Sequence, residues 1–248
     1  MLAKRLFDTI VGITILILIS PILLLFCFLI YLQDFHNPFY IADRVGLNGR
    51  KFRMYKLRSM IKNADKSGVD STASDDQRIT SVGAMVRRYK LDELAQLINV
   101  VKGDMSLVGP RPNVQRETDL YTEDERRLLS IRPGITDFAS ISFSDEGDIL
   151  SGSDDPDIDY NQLIRPGKGY LGLFYLDNIG IRVDLEILIA TAWAIIDKPV
   201  ALRHVEKTMT RLNAPKQILD IATRREPLTP TPPPGASNIV IDRNSIPA

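Results

Sequence analysis

The 248-residue sequence contains one cysteine and two histidines. A single cysteine excludes a disulfide framework within the chain and a zinc site built from cysteines. His36 and His204 are far apart in the sequence, which argues against a histidine metal cluster and against a serine–histidine triad. Any chemistry must therefore use carboxylates and cationic side chains. The lack of a disulfide framework suits a domain that faces the reducing cytoplasm.

Charge is missing altogether from one long segment. Residues 9–33 form an apolar run of about 25 residues, long enough as a helix to cross a bilayer core of about 30 Å. Ser20 and Pro21 stand near its middle. Because proline lacks a helical N–H and clashes with the preceding turn, we expect a kink there, with the Ser20 hydroxyl as a partner for a freed carbonyl.

Basic residues flank this run on both sides. Residues 1–62 carry nine basic and three acidic side chains, although the whole chain is neutral. Positive charge stays on the cytoplasmic side of a membrane, so a bent, re-entrant hairpin with both ends inside is favoured over a single crossing. A plain single-span anchor with a mild kink is the alternative. A secretory signal fits less well, because the run is too long and no small-residue cleavage site follows it.

The remaining pattern predicts a mainly α fold with short β segments. We expect an N-terminal re-entrant membrane helix-break-helix over residues 1–38 and a compact cytoplasmic domain over 39–212. An extension over 213–248 contains many prolines and is predicted to be largely disordered from about residue 225. The local signals predict a strand at 51–58, helices at 80–89, 92–101, 122–130 and 184–196, an extended segment at 106–108, and loops at 62–76 and 144–159.

The second of these loops is strongly acidic. Residues 144–159 contain seven acidic and no basic side chains, and aspartates alternate over 155–159 as at the start of a calcium loop. However, Tyr160 stands where such a loop needs glycine, and Pro166 stands where it needs a bidentate glutamate. A solvated acidic loop is therefore the favoured interpretation.

Two adjacent carboxylates follow three cations in the stretch Arg87-Arg88-Tyr89-Lys90-Leu91-Asp92-Glu93. Asp92 falls at the predicted start of a helix, where free amide groups and the helix dipole stabilise negative charge. An aspartate kept ionised can act as a nucleophile or a magnesium ligand, but hardly as a general acid. An Asp–Glu pair is also common in first helical turns without any catalytic role, so the pair alone is a weak signal.

A second element is Pro110-Arg111-Pro112. The two prolines hold Arg111 in an extended, rigid backbone, which lowers the ordering cost of a bidentate phosphate contact. A simple turn is the alternative. Together with Lys56, Arg58 and Arg87, and with two carboxylates able to hold Mg²⁺, this arrangement would suit a pyrophosphate-bearing substrate. A stripe of solvated surface charge would look the same in the sequence.

Several longer motifs occur in a fixed order: Lys-Arg-Leu-Phe-Asp at 4–8, Ser-Pro at 20–21, Tyr-Lys-Leu-Arg-Ser-Met at 55–60, a continuous motif at 91–112, and Ile-Arg-Pro-Gly-Ile-Thr at 131–136. Together they resemble the bacterial sugar transferases, the monotopic phosphoglycosyl transferases that begin surface-glycan synthesis on a polyprenol carrier. The resemblance covers roughly residues 4–196. Its central motif is more than twenty residues long and is therefore specific.

The resemblance implies a reaction in which Asp92 attacks the β-phosphate of a UDP-sugar, releases UMP and carries a phosphosugar. Polyprenol phosphate, as undecaprenyl phosphate, then accepts the sugar phosphate. Glu93 would assist as a Mg²⁺ partner, Asp92 being the other ligand, or by activating the acceptor phosphate. Arg87 and Arg111 would neutralise substrate phosphates.

The resemblance also implies that Lys56 and Arg58 face the carrier phosphate. The implied location is the cytoplasmic face of the bacterial inner membrane, with a monotopic anchor in contact with membrane lipid. The reaction would begin the synthesis of an exopolysaccharide or another surface glycan. Nucleic acid is not an expected partner, since no binding motif accompanies the basic residues. A homodimer is left open.

The sequence departs from the family pattern at two places. Family members commonly continue Gly-Ile-Thr with Gly-Trp-Ala-Gln-Val-Asn-Gly-Arg, whereas this chain has Ser144 at the expected arginine position and Ala95 at an expected proline. The arginine is thought to help bind the nucleotide sugar, and Arg165 or Lys168 would be the replacement. The transferred sugar therefore stays open, and a catalytically weakened member that acts as a membrane scaffold for other glycan enzymes is the alternative function.

Overall fold

A computed structural model describes residues 2–64 and 76–242 of the chain. Its helices and strands occur in the order α1 (Leu2–Asp34), β1 (Phe39–Val45), β2 (Lys51–Leu57), α2 (Ser81–Arg88), α3 (Leu91–Leu94), α4 (Leu97–Lys102), β3 (Ser106–Val108), α5 (Gln115–Asp119), α6 (Glu123–Arg126), β4 (Gly134–Thr136), α7 (Phe138–Ser142), α8 (Glu146–Ile149), α9 (Pro156–Asp159), α10 (Arg165–Asp177), α11 (Ile181–Ile196), α12 (Lys198–Arg211) and α13 (Lys216–Thr223). A π-helical turn, Tyr160–Ile164, joins α9 to α10. The predicted class, mainly α with short β segments, is confirmed. Most of the loop predicted at 62–76 lies outside the described residues.

The apolar segment forms one helix, α1, that accommodates Pro21 in its interior instead of being divided into two helices. The hydroxyl of Ser20 donates a hydrogen bond to the carbonyl oxygen of Ile17 over 2.8 Å. That carbonyl is the acceptor that the missing N–H of proline leaves free. The side chain thus replaces the lost backbone donor, as the sequence led us to expect, and the helix continues.

Both ends of α1 contact the rest of the protein. Near its start, Lys4 forms an ion pair of 2.6 Å with Asp184 on α11, and near its end Asp34 pairs with Arg58 just after β2. Between these points one side of the helix packs on the domain, with Ile30 fully buried. The outward side exposes a row of large apolar residues, among them Leu6, Ile10, Ile13, Ile17, Leu24 and Phe28. Within the described residues, α1 is the one helix long and apolar enough to cross a membrane.

Short strands place the Pro-Arg-Pro segment. β1 and β2 form an antiparallel hairpin, while β3 pairs in parallel with β4 through Ser106–Gly134 and Val108–Thr136. The chain leaves β3 through Gly109, whose backbone lies against Gly134. A Cβ atom on Gly134 would meet the Gly109 nitrogen at 2.1 Å, so only glycine fits there. This close approach fixes the backbone just before Arg111.

Several local predictions are confirmed. Thr80 caps α2 by accepting a hydrogen bond from the Gly83 amide, and Thr122 and Glu125 form the predicted capping box at the start of α6. The helix predicted at 92–101 consists of two short helices, α3 and α4, and Gly103 ends the second in a left-handed conformation.

The acidic segment at 144–159 differs from the predicted loop. It contains two single-turn helices, α8 and α9, the second of which begins at Pro156 and is capped by Asp155. Proline in the first helical position and an aspartate cap favour a helix start even in an acidic stretch. Leu150, between the two helices, is fully buried and holds the segment on the domain.

The C-terminal residues 225–242, which we call the C-terminal strap, form hydrogen bonds with the domain. The Thr231 amide donates to the Gln162 carbonyl over 3.1 Å, and the Gln162 side chain donates to the Val240 carbonyl over 2.7 Å. The Thr122 hydroxyl donates to the Pro234 carbonyl over 2.5 Å. Prolines have no N–H that needs a partner, so a few such bonds and the buried Val240 side chain suffice to place the strap.

Candidate active site

The carboxylates of Asp92 and Glu93 lie in the first turn of α3. The chain reaches this helix through Lys90, which adopts a left-handed conformation with φ 55° and so turns the backbone between α2 and α3. Side-chain exposure is 10% for Asp92 and 16% for Glu93. Two negative groups are therefore held next to each other with little contact to water, an arrangement that requires compensating positive charge.

Lys56 provides part of that charge. It lies on β2 and its Nζ atom is 3.2 Å from Oδ2 of Asp92. The β2 backbone is in turn fixed to α4, because the Asn99 side chain accepts from the Tyr55 amide and donates to the Arg53 carbonyl. The lysine thus approaches Asp92 from a strand that is bonded to the helix following the carboxylates.

Arg111 provides the charge beside Glu93. Its guanidinium donates to Oε1 of Glu93 over 2.7 Å. Burial raises the pKa of Glu93, but Arg111, Lys90 and Lys56 outweigh it and lower the pKa to about 2. Glu93 is therefore a carboxylate throughout the physiological pH range. The same ion pair raises the pKa of Arg111.

Another pair lies beside this one. Lys168, in the first turn of α10, donates to Oε2 of Glu146 on α8, and its Nζ is 5.0 Å from the ring centre of Tyr160. Burial raises the pKa of Glu146, but the positive charges of Lys168, Arg111 and Lys90 have the larger effect. The pKa of Glu146 is therefore below its ordinary value. Arg111 and Lys90 are thus among the cations that lower the pKa of both Glu93 and Glu146.

Asp137 completes the surroundings of the site. Its carboxylate caps α7 by accepting from the Ser140 amide over 2.7 Å. Burial raises its pKa, against the opposing effect of Ser140, Lys168 and Arg111. Asp137, Glu146, Lys90 and Tyr160 were not among the site residues predicted from the sequence. Lys90 is two residues before Asp92, whereas Asp137, Glu146 and Tyr160 come from later segments, and no local pattern distinguishes them.

The predicted site residues divide into two groups. Asp92, Glu93, Lys56 and Arg111 are brought together, as described. Arg58 is engaged elsewhere, because its guanidinium forms two bonds of 2.5 and 2.6 Å to the Asp34 carboxylate at the end of α1.

Arg87 is half-buried in the last turn of α2. In the part of the chain that the structure describes, no ion pair joins Arg87 to Asp92 or Glu93. Two cations were considered as replacements for the missing family arginine. Arg165 is buried and donates two hydrogen bonds to the Glu125 carboxylate. Lys168 donates to Glu146.

A buried polar cluster holds the Arg111 segment against α1 and α11. The Asp184 carboxylate, fully buried on α11, accepts from the Tyr175 hydroxyl over 2.7 Å and pairs with Lys4. Both Lys4 and Tyr175 also donate to the carbonyl of Val108, each over 3.2 Å. Val108 is three residues before Arg111, so the basic start of the apolar helix helps to fix the Pro110-Arg111-Pro112 segment.

Asp92 and Glu93 have the chemistry of magnesium ligands. Each described ion pair engages one oxygen of its carboxylate, and Mg²⁺ in phosphoryl-transfer sites is commonly bound by one or two carboxylates together with substrate phosphates. Among the described residues, no group of three or more acidic, histidine or cysteine side chains forms a ready-made metal site. A metal bound here would take its remaining ligands from substrate and water.

A pair of carboxylates among fixed cations, on a helical domain bonded to a long apolar helix, is a site suited to an anionic phosphate substrate near a membrane. The family model "Bacterial sugar transferase" matches residues 1–198, and the chain belongs to this family. It is accordingly an enzyme, a sugar transferase of the phosphotransferase class. Residues 199–248 lie beyond the match.

Curated relatives include proteins of similar and of greater length. The chain is 35% identical over 196 residues to the uncharacterized sugar transferase EpsL of Bacillus subtilis, covering 79% of this chain and 88% of that protein. It is 38% identical to the exopolysaccharide production protein ExoY of Sinorhizobium fredii, covering 57% and 69%. It is 34% identical to the undecaprenyl-phosphate galactose phosphotransferase of Salmonella typhimurium, covering 78% of this chain but 40% of that longer protein.

Proposed function

We propose that the protein transfers a sugar 1-phosphate from a UDP-sugar to undecaprenyl phosphate, as the first step in building an exopolysaccharide or capsule. Relatives named as undecaprenyl-phosphate galactose and N-acetylgalactosamine phosphotransferases support the acceptor and the type of donor. The observation that carries the proposal is the Asp92 carboxylate, 3.2 Å from Lys56 and adjacent to the Glu93–Arg111 pair.

In the proposed first step, an Asp92 oxygen attacks the β-phosphorus of the donor. The bond from that phosphorus to the bridging oxygen breaks, and UMP leaves with the bonding electrons. In the second step, an oxygen of undecaprenyl phosphate attacks the same phosphorus and displaces Asp92, which gives undecaprenyl diphosphate sugar. Two displacements at one phosphorus regenerate the free carboxylate, and neither requires an external oxidant or reductant.

The cations of the site neutralise charge during both displacements. Arg111 and Lys56 lie beside the two carboxylates and are held in place before substrate binds, so they need little reorganisation when phosphate oxygens arrive. Glu93, ionised at neutral pH, orients Arg111 toward the attacked phosphate. When bound by Asp92 and Glu93, Mg²⁺ would add charge neutralisation of the phosphates.

The contacts of α1 support a monotopic anchor on the cytoplasmic face. A helix that crossed the bilayer would carry one end away from the domain, yet Lys4 pairs with Asp184 and Asp34 pairs with Arg58. The basic flanks favour the cytoplasmic side for both ends. Such an anchor suits the reaction, because one substrate is dissolved in water and the other stays in the bilayer.

The test is UMP release by purified protein given Mg²⁺, undecaprenyl phosphate and a panel of UDP-sugars. We expect release with at least one sugar, no release by Asp92→Asn, and a phosphosugar adduct on Asp92 when the acceptor is omitted. Full activity in the Asp92→Asn variant would overturn the covalent route. No release by well-folded wild-type protein would favour the scaffold function that Ser144, in place of the family arginine, leaves as the second candidate.

A further inference from the structure

Helix α11 has an exposed apolar side. Its inward side packs on the core through buried residues that include Val183 and Ile187. On the opposite side, large apolar residues recur at every fourth position and are exposed: Ile181, Leu185, Ile189 and Trp193. Residues four apart lie on the same side of a helix, so these four side chains form a continuous row, which we call the α11 stripe. A contiguous exposed apolar surface of this kind marks a site of contact with another molecule or a membrane.

Helices α11 and α12 form an antiparallel hairpin. The ring of Trp193 on α11 stacks on the ring of His204 on α12, with 6.5 Å between the ring centroids and 12° between the ring planes. Further along the hairpin, Arg211 of α12 pairs with Glu186 of α11 over 2.6 Å. The side of α12 that carries His204 therefore lies directly beside the α11 stripe, to which Trp193 belongs.

This side of α12 is positively charged. Its exposed residues are three and four positions apart and line an open cavity together with Val200: Arg203, His204 and Lys207. Among the residues that the structure describes, no ion pair involves Arg203 or Lys207. Lys198 and Arg211 on the same helix, by contrast, are each paired with an acidic side chain. The two unpaired cations, which with His204 we call the α12 basic side, can thus serve an external anion.

We propose that the α11 stripe and the α12 basic side together bind the surface of an anionic lipid bilayer. The stripe enters the boundary between headgroups and acyl chains, while Arg203 and Lys207 contact lipid phosphates. Trp193 lies where the two surfaces meet, at the headgroup level that tryptophan prefers. This contact goes beyond the proposed reaction and does not depend on it.

Two observations favour a bilayer as the occupant of this surface. Lys4, near the start of the anchor α1, is bonded to Asp184 near the start of α11, so the surface adjoins the helix that anchors the protein. A dimer through the same surface would bring the unpaired cations of both copies into one interface, where like charges repel. Arg203 and Lys207 also lie beyond residues 1–198, which the family model matches, so this charge belongs to the chain's own extension.

Trp193 is the only tryptophan of the chain, so its fluorescence reports on the α11 stripe alone. The experiment places the full-length protein in nanodiscs of phosphatidylcholine, either alone or mixed in equal amounts with phosphatidylglycerol. The quenchers are lipids brominated on the acyl chain near the headgroup, and acrylamide in the water. We expect acrylamide to quench weakly and brominated lipid to quench strongly, about twofold more in the mixed nanodiscs than in phosphatidylcholine alone.

Variants of the two cations test the role of charge. Arg203→Gln combined with Lys207→Gln should remove the preference for phosphatidylglycerol, whereas the charge-conserving control, Arg203→Lys combined with Lys207→Arg, should behave as wild type. Added salt should likewise lower the quenching of wild type in mixed nanodiscs to the level in phosphatidylcholine, because it screens exposed charges. Melting temperatures show whether the variants are folded, and the salt titration of wild type tests the proposal even if they are not.

Three results would overturn the proposal. Quenching of Trp193 by acrylamide but not by brominated lipid would show that the α11 stripe faces water. Protection from both quenchers, together with crosslinks between copies, would show that a second copy of the chain covers the stripe. Equal quenching by brominated lipid in both kinds of nanodisc, unchanged by salt, would show that the cations do not contact lipid.

Discussion

The Ser20 hydroxyl lies 2.8 Å from the Ile17 carbonyl oxygen, the acceptor that Pro21 deprives of its helical donor. This bond lets a proline stay within a 33-residue helix. An unpaired backbone carbonyl in the hydrocarbon region of a bilayer costs roughly several kcal/mol of free energy. Ser20 and Pro21 therefore act as a unit. The anchor's shape and its two domain contacts should therefore respond to changes at this pair.

We expect cysteines placed at Leu2 and Asn37, in a Cys27→Ser background, to be shielded from a membrane-impermeant reagent added outside intact cells. Both positions flank the helix ends that contact the domain, so both should face the cytoplasm. Labelling after permeabilisation shows that the cysteines are reactive. Labelling of either one before permeabilisation contradicts the monotopic anchor.

Replacing Pro21 with leucine should restore a backbone donor to the Ile17 carbonyl within the continuous helix α1. If the proline keeps both ends of α1 inside, the same cysteine assay should now detect one end outside. An unchanged labelling pattern would mean that the flanking charges and domain contacts alone fix the topology. Ser20→Ala is the companion variant, since it removes the replacement donor but keeps the proline.

The ion pair between Lys4 and Asp184 should be a major contributor to the stability of the domain. Asp184 is fully buried, and removing one partner of a buried pair typically costs about 3–5 kcal/mol. We expect Lys4→Met to lower the melting temperature strongly, as measured by thermal unfolding in detergent. Arg182→Ala, which breaks a pair with Glu186 on the same helix through a 72% exposed arginine, should change it little. Equal decreases in melting temperature for the two variants would contradict a major contribution of the Lys4–Asp184 pair to stability.

Gly134→Ala should prevent stable folding, because the added Cβ would lie 2.1 Å from the Gly109 nitrogen, and two backbones cannot move apart without breaking the β3–β4 pair. Gly180→Ala is a suitable control, since nothing lies within 4 Å of its Cβ position and its φ of −174° is open to any residue. Expression level and melting temperature check both variants. A stable Gly134→Ala protein would mean that the close approach is not required.

The free energy of unfolding should depend on pH through the ionisation of Glu93. Its pKa of about 2 in the folded protein is below the ordinary value near 4.3, so the carboxylate stabilises the fold above about pH 4.3 and loses this contribution as the pH falls toward 2. The full effect is at most about 3 kcal/mol. Glu93→Gln should therefore lose less stability than wild type between pH 5 and pH 3 in thermal unfolding. If the stability of wild type and of Glu93→Gln falls in parallel over this pH range, the lowered pKa of Glu93 is contradicted.

Sequence reasoning was most successful where the signal was local. The capping box of Thr122 and Glu125 is encoded within four residues. The family was indicated by several short motifs together, of which the one at 91–112 is the longest. The resemblance implied roles for both Glu93 and Arg111, and the structure shows that they form an ion pair. By contrast, the partner of Arg58 in the structure is Asp34, 24 positions earlier, and its predicted role at the carrier phosphate stays a prediction. Such a pairing depends on how α1 lies on the domain and has no local signature.

The acidic segment at 144–159 shows the same limit of sequence reasoning, here for a prediction made from composition. Its charge favoured a solvated loop, and yet Leu150 is buried and Glu146 is bonded to Lys168. Composition describes the average environment of a segment, whereas one buried leucine decides where the segment is attached. Composition describes the strap no better, because its high proline content does not reveal which carbonyl groups form hydrogen bonds with Thr122 and Gln162.

The strap also sets an order of events during synthesis. Ribosomes build a chain from its N-terminus, so the apolar helix is available to the membrane long before Pro234 and Val240 exist. The side chains of Thr122 and Gln162 receive their strap partners only when those late residues are added. Gln162 belongs to the π-helical turn that carries Tyr160 toward Lys168. The hydrogen bonds that support this turn are thus completed last, after α1 and all the residues of the candidate active site have been synthesised.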